Sequence, residues 1–241
     1  MPPARDTIHS RRRHGIRAGI IEAHTRSGHD TRITPAAETL LQTALERGAL
    51  RLGDFTLKSG RPSPYFFNFG ALDDGDALLQ AAEAYADLLM NAEFDVLFGP
   101  AYKGIPLVAA IAVVMARRGR SVAYAYNRKE AKTHGEGGNL VGAPVDGRVA
   151  LVDDVVTAGT AIRQAIDMVR AAGGTPTLAV VALDRQEAGP DGLSPLASLA
   201  EQEQIDVRSL FTASDVADSV EASQADAASA IRRHLGEYGA G

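Results

Sequence analysis

None of the 241 residues is a cysteine. That excludes disulfides, thiol nucleophiles and cysteine-held metal sites. No uninterrupted apolar run reaches the ~18 residues that a bilayer-spanning helix requires. Positive charge is not in excess: 25 Lys and Arg stand against 30 Asp and Glu, a formal net charge of −5. That balance disfavours a general nucleic-acid binder. The opening MPPARDTIHSRRRHGIR carries charge but no apolar stretch, so it does not read as a secretory signal. There is no G-x-x-x-x-G-K-[ST] loop, and GEGGNLVG near residue 135 lacks the spacing of a dinucleotide-binding turn. A cytoplasmic protein with no membrane partner is the expectation. What the chain does have is 45% hydrophobic residues, enough for a substantial core in one large domain or two small ones.

Residues 1–33 differ from the rest. Seven arginines (Arg5, Arg11, Arg12, Arg13, Arg17, Arg26 and Arg32) face three acids there, and apolar periodicity is poor. The stretch reads as a basic, unstructured extension; the alternative is an arm touching nucleic acid or a partner. From Thr34 a helix is expected, with Thr34 as cap, Pro35 in the first turn and a stripe of Ala37, Leu40, Leu41, Ala44 and Leu45. FTLKSGRPSPYFFNFG (55–70) reads as a hairpin turning at Ser59–Pro62. Helices are expected over 77–91, 105–119 and 161–172, and strands over 95–100, 121–127, 148–152, 175–184 and 207–211. Residues after Ser214 read as helical. Strands alternating with helices predict an α/β fold, a mainly parallel sheet covered on both faces, with ligands at the carboxyl ends of the strands.

The chemistry concentrates in ALVDDVVTAGTAI (150–162). Apolar residues lead to Asp153-Asp154, and Thr157-Ala158-Gly159-Thr160 then opens a helix. Aspartates are disfavoured in strands and costly to bury, so a pair at a strand's carboxyl end suggests a site. Backbone N–H groups and hydroxyls at a helix N-terminus suit a phosphomonoester, and glycine lets the backbone approach it. The acids suit neutral hydroxyls or a hydrated cation. Phosphate on one side and a vicinal diol on the other describe a ribose 5-phosphate. The plain alternative is a capped helix with a solvated loop end. A second stretch, NRKEAKTHGEGG (127–138), gathers Arg128, Lys129, Lys132 and His134 before three glycines, with no apolar anchor. It reads as a mobile loop able to close over a polyanion, or as a solvated charge run.

LVDDVVTAGTA resembles the phosphoribosyl-diphosphate (PRPP) signature of the type I phosphoribosyltransferases. The R-K-x-x-K-x-H pattern of the basic stretch resembles that of the orotate phosphoribosyltransferases in particular. The likeness spans about residues 34–215 over five stretches in order. It implies the type I phosphoribosyltransferase fold: a mainly parallel central sheet flanked by helices, a small N-terminal hood (34–75), a core (76–215), a C-terminal helical segment (216–241) and a flexible catalytic loop.

The resemblance also implies roles. Asp153 and Asp154 hold the ribose hydroxyls, and Val155, Val156, Thr157, Ala158, Gly159, Thr160 and Ala161 cradle the 5-phosphate. Lys58, Tyr102, Lys103, Arg128, Lys129, Lys132 and His134 meet PRPP and its diphosphate, while Gly104 leaves it room. Phe66, Phe67, Thr157 and Arg185 meet orotate. Adjacent strand residues point to opposite faces, so at most one of the two phenylalanines stacks by its side chain. Lys132, Asp153 and Asp154 are the implied catalytic groups. Mg²⁺ is expected to arrive on PRPP, near Asp154, without dedicated protein ligands. A homodimer is implied, with the 128–138 loop reaching the neighbouring site. The implied reaction joins orotate and PRPP into orotidine 5′-monophosphate and diphosphate in pyrimidine biosynthesis. Two other readings stay open: an enzyme of the same fold using a purine or uracil, and a PRPP-sensing regulator that binds DNA through the basic leader.

Overall fold

The computed structural model describes residues 33–57, 59–132, 138–156 and 159–240. The expectation for the basic leader therefore lies outside the described residues except at Ile33, which packs against the core. Helix α1 (Pro35–Glu46) begins as its sequence dictates, with the Thr34 hydroxyl accepting from Ala37 N–H and proline in the first turn. Strands β1 (Leu50–Thr56) and β2 (Pro62–Phe67) form an antiparallel hairpin. A short 3-10 turn (Phe69–Ala71) leads to α2 (Gly75–Leu89).

The core then alternates strand and helix: β3 (Val96–Gly99), α3 (Gly104–Arg117), β4 (Ala123–Lys132), β5 (Gly138–Gly142), β6 (Arg148–Val155), α4 (Thr160–Ala171), β7 (Thr175–Asp184), α5 (Pro195–Glu203) and β8 (Asp206–Thr212). Helices α6 (Ala213–Val220) and α7 (Ala225–Tyr238) close the described chain. The six strands lie in the order β5-β4-β3-β6-β7-β8. All neighbours are parallel except β4 and β5.

Side-chain alternation divides the core between the two faces of this sheet. Leu97, Ala150, Val152, Leu178, Val180 and Ala182 point to the face covered by α1, α2, α3 and α6. Val96, Phe98, Val149, Leu151, Ala179 and Val181 point to the face covered by α4 and α5. Burial on both faces is why these strands read as continuous apolar runs. Among the described residues, no helix is long and apolar enough to cross a membrane.

Two expectations are corrected. Residues 128–132 are not loop: β4 runs on through Lys132 because β5 pairs with it antiparallel, from Ala125↔Gly142 to Lys132↔Gly138, with a register shift between. Arg128, Lys129 and Lys132 thus stand on a strand of a hairpin, and residues 133–137, including His134, lie outside the described residues. Strand β6 also runs past residue 152, through both aspartates to Val155, because β7 offers a parallel partner as far as Leu183. Helix α5 and strand β5 were not anticipated.

Candidate active site

The carboxyl edge of the sheet gathers the segments that follow β3, β6 and β7. Strands β3 and β6 are direct neighbours, with Phe98 beside Leu151. Residues 100–103 after β3 therefore sit next to the aspartates that end β6. Two glycines bring α3 onto β3: a Cβ on Gly99 would fall 2.2 Å from the Gly104 carbonyl oxygen, and one on Gly104 would fall 2.7 Å from the Gly99 carbonyl carbon. Gly104 is buried in this packing, so its missing side chain serves the strand–helix contact. The 101–102 peptide is cis.

Helix α4 starts from Gly159, whose φ of 74° lies in the left-handed region. A Cβ there would also meet Arg163 Nη1 at 2.7 Å. Side chains of Thr34, Asp74, Ser194 and Thr212 cap α1, α2, α5 and α6. Among the described residues no side chain caps α3 or α4, and neither helix has an acid in its first turn. Among the described residues, the first N–H groups and positive dipole end of α4 are left for an anion. At the start of α3, Gly104 N–H donates to the Pro100 carbonyl at 3.0 Å, Ile105 N–H donates to the Tyr102 carbonyl at 3.2 Å and Pro106 has no N–H, so only the dipole end is offered there. Thr160 and Ala161 are exposed at the start of α4, while Val156 is buried and Val155 half-buried. Thr157 and Ala158 are outside the described residues, as is Lys58.

Asp153 is buried, at 8% exposure. Its carbonyl accepts a 2.6 Å hydrogen bond from the Tyr85 hydroxyl, and its Oδ1 accepts from Asp154 N–H at 2.9 Å. Burial, then the neighbouring Asp154 charge, pushes the Asp153 carboxyl up to about 7, with Lys103 pulling the other way. Lys103 Nζ donates to Asp154 Oδ2, an ion pair joining the β3 and β6 segments. The lysine is half exposed, so the pair is exchangeable rather than a structural lock. Tyr102 is 65% exposed beside it. Asn127 Oδ1 accepts from Ala101 N–H at 2.8 Å, fixing the loop after β3 to β4.

The hood reaches the same edge, since a Cβ on Gly70 of the 3-10 turn would lie 4.0 Å from Lys103 Cε. Phe66 and Phe67 point to opposite faces of their strand as expected. Phe66 packs on Phe55 and under Arg51. Phe67 meets Phe69 and Phe211 edge-on. Arg185, one residue past β7, is buried over the Tyr65 ring, 4.3 Å from its centroid, and donates to Glu187 Oε1 from both Nε and Nη2.

The sequence-predicted residues Lys103, Asp153 and Asp154 thus come into contact, with Tyr102 and the start of α4 beside them. Arg185 sits at the next strand end. Tyr85, Asn127, Ser63 and Glu187 were missed. Each is an ordinary core or surface type whose part depends on a partner far away in the chain. Among the described residues, no cluster of three or more His, Asp or Glu side chains could hold a metal ion.

Residues 70–198 match the phosphoribosyl transferase domain, so the fold and site define a phosphoribosyltransferase. An orotate phosphoribosyltransferase of Xanthomonas campestris pv. campestris is 64% identical over 150 residues, 61% of this chain and 68% of that protein. One of Acinetobacter baumannii is 49% identical over 206 residues, 84% of this chain and 95% of that protein. The crystal structure of the orotate phosphoribosyltransferase of Francisella tularensis superposes with a TM-score of 0.75 at 35% identity, covering 83% of this chain and 99% of that one. The chain belongs to the orotate phosphoribosyltransferase family.

Proposed function

We propose that this chain transfers the 5-phosphoribosyl group from PRPP to orotate, giving orotidine 5′-monophosphate and diphosphate. The observation that carries the reading is the meeting of the α4 start, which has no side-chain cap among the described residues, with the buried Asp153 and the half-buried Asp154 that Lys103 holds. The α4 turn binds the 5-phosphate through its N–H groups. Asp153 and Asp154 accept hydrogen bonds from the ribose hydroxyls. Lys103 leaves Asp154 for the diphosphate, joined by Tyr102 and the basic residues Arg128, Lys129, Lys132 and His134.

The ring nitrogen of orotate attacks the anomeric carbon as the C–O bond to diphosphate breaks. Positive charge grows on the ribose beside the two carboxylates, and negative charge grows on the leaving group beside the lysines and arginine. No covalent nucleophile is required, and positioning carries much of the acceleration. Arg185 pairs with the orotate carboxylate, and the hood residues Phe66 and Phe67 border the base.

Two adjacent carboxylates are too few for an all-protein Mg²⁺ cage, but they fit an ion that brings phosphate and water oxygens of its own. Asp153 and Asp154 would hold such an ion beside the ribose. When bound, Mg²⁺ supplies charge neutralisation at the diphosphate.

The enzyme works as a cytoplasmic homodimer in which the 128–138 hairpin serves the neighbouring site. Exposed Val113 and Tyr124, on the packed pair α3 and β4, support a subunit contact there. The direct test follows orotate absorbance on adding PRPP and Mg²⁺, with hypoxanthine and uracil as alternative bases. PRPP-dependent loss of orotate alone is expected. Turnover of another base instead, or PRPP binding without any turnover, overturns the reading.

A further inference from the structure

The end of the described chain returns to the edge where Arg185 lies. Ala188 N–H donates to the Tyr238 carbonyl at 2.7 Å, Ala240 N–H donates to the Gln186 carbonyl at 2.9 Å, and Glu187 lies opposite Gly239 in an antiparallel bridge. The hook after β7 is pinned from the other side too. Gln186 adopts a left-handed φ of 55°, its N–H donates to Asp184 Oδ1 at 2.8 Å, and its Oε1 accepts from the Ser214 N–H and hydroxyl at the start of α6. A non-glycine residue keeps that backbone only where its surroundings impose it.

Pinned this way, Glu187 sits buried among cationic and donor groups from three parts of the chain. Its Oε1 accepts from Arg185 Nε at 2.9 Å, Arg185 Nη2 at 2.6 Å and His234 Nε2 of α7 at 3.1 Å. Its Oε2 accepts from Arg61 Nη1 of the hood hairpin at 2.9 Å. Burial alone would raise this carboxyl, but Arg185, His234 and Arg61 outweigh it and hold it below its ordinary value. Arg185 Nη2 also donates to Ser63 Oγ at 2.8 Å, and the guanidinium lies over Tyr65. Among the described residues only Nη1 of this guanidinium makes no hydrogen bond. The N–H donors of that free guanidinium nitrogen suit a carboxylate on a planar substrate.

We propose that Glu187, held by His234 and the chain-end residues 238–240, is a positioning residue that fixes Arg185 so that its remaining edge receives the carboxylate of the base. The inference rests on the reading of Arg185 as the orotate partner. It makes the C-terminal helix part of base recognition.

Steady-state kinetics of the full chain test it, with Arg185→Ala, Glu187→Gln, His234→Gln and the Arg185→Ala/Glu187→Gln double variant. Glu187→Gln keeps the shape but loses the charge; it should raise KM for orotate about tenfold and leave KM for PRPP and kcat nearly unchanged. His234→Gln should move orotate KM the same way by about threefold, and it carries the test if the first variant does not fold. The double variant should be no worse than Arg185→Ala, because Glu187 acts through Arg185. An unchanged orotate KM in Arg185→Ala would remove the reading on which the inference rests. A raised KM there, with Glu187→Gln like wild type, would overturn the positioning role alone. Equal rises for orotate and PRPP in Glu187→Gln would overturn it too, by showing general damage to the site.

Discussion

Asp153 should destabilise the free protein at neutral pH, and Asp153→Asn should reveal it. The carboxyl titrates near 3.8 in an unfolded chain and at about 7 in the fold. The folded state therefore holds the extra proton between those two values, and stability falls as pH rises through that window. Below about pH 4 the group is protonated in both states and contributes nothing. Above about pH 7 the full penalty is present, with a ceiling of about 4 kcal/mol at 1.36 kcal/mol per pH unit. Asparagine keeps an oxygen for the 2.9 Å bond from Asp154 N–H and carries no charge to desolvate. The variant should melt higher than wild type at pH 8.5, by several degrees at about 2–4 °C per kcal/mol for a domain of this size. The gap should shrink steadily towards pH 5, while activity is lost. Paired thermal melts across pH measure this. A gap independent of pH, or a variant that melts lower at pH 8.5, would refute the argument that burial next to Asp154 raises this group.

The same group predicts that PRPP binding near pH 7 releases up to about half a proton, because hydroxyls donating to Asp153 favour its charged form. Calorimetry in two buffers of different ionisation enthalpy reads it, and net uptake would contradict it. Lys132→Ala should lower kcat by about a hundredfold or more at unchanged melting temperature. Mixing that chain with Asp154→Asn should restore part of the activity if the hairpin acts across subunits, and verified heterodimers without recovery would remove the sharing. Gly99→Ala should cost about 1–3 kcal/mol or more, since its Cβ would fall 2.2 Å from a backbone oxygen and 2.9 Å from Val108 Cβ; calorimetric unfolding would show it.

The sequence by itself determined the alternation of strands and helices, the hairpin before α2, and the placing of the acid pair of ALVDDVVTAGTAI at a strand's carboxyl end just before a helix. Those features are local: apolar period, capping residues, and an acid pair followed by a small turn all act within a few residues of one another. Where β4 and β6 end was decided only in three dimensions, because β5 and β7 extend them by pairing through residues that read as loop. The same holds for Tyr85 on the Asp153 carbonyl, Asn127 on Ala101, and the Glu187 cluster that ties Arg61, Arg185 and His234 together. These contacts join residues tens of positions apart. No periodicity or spacing encodes such a pair, since its energy arises only once the sheet order has brought the strand ends side by side.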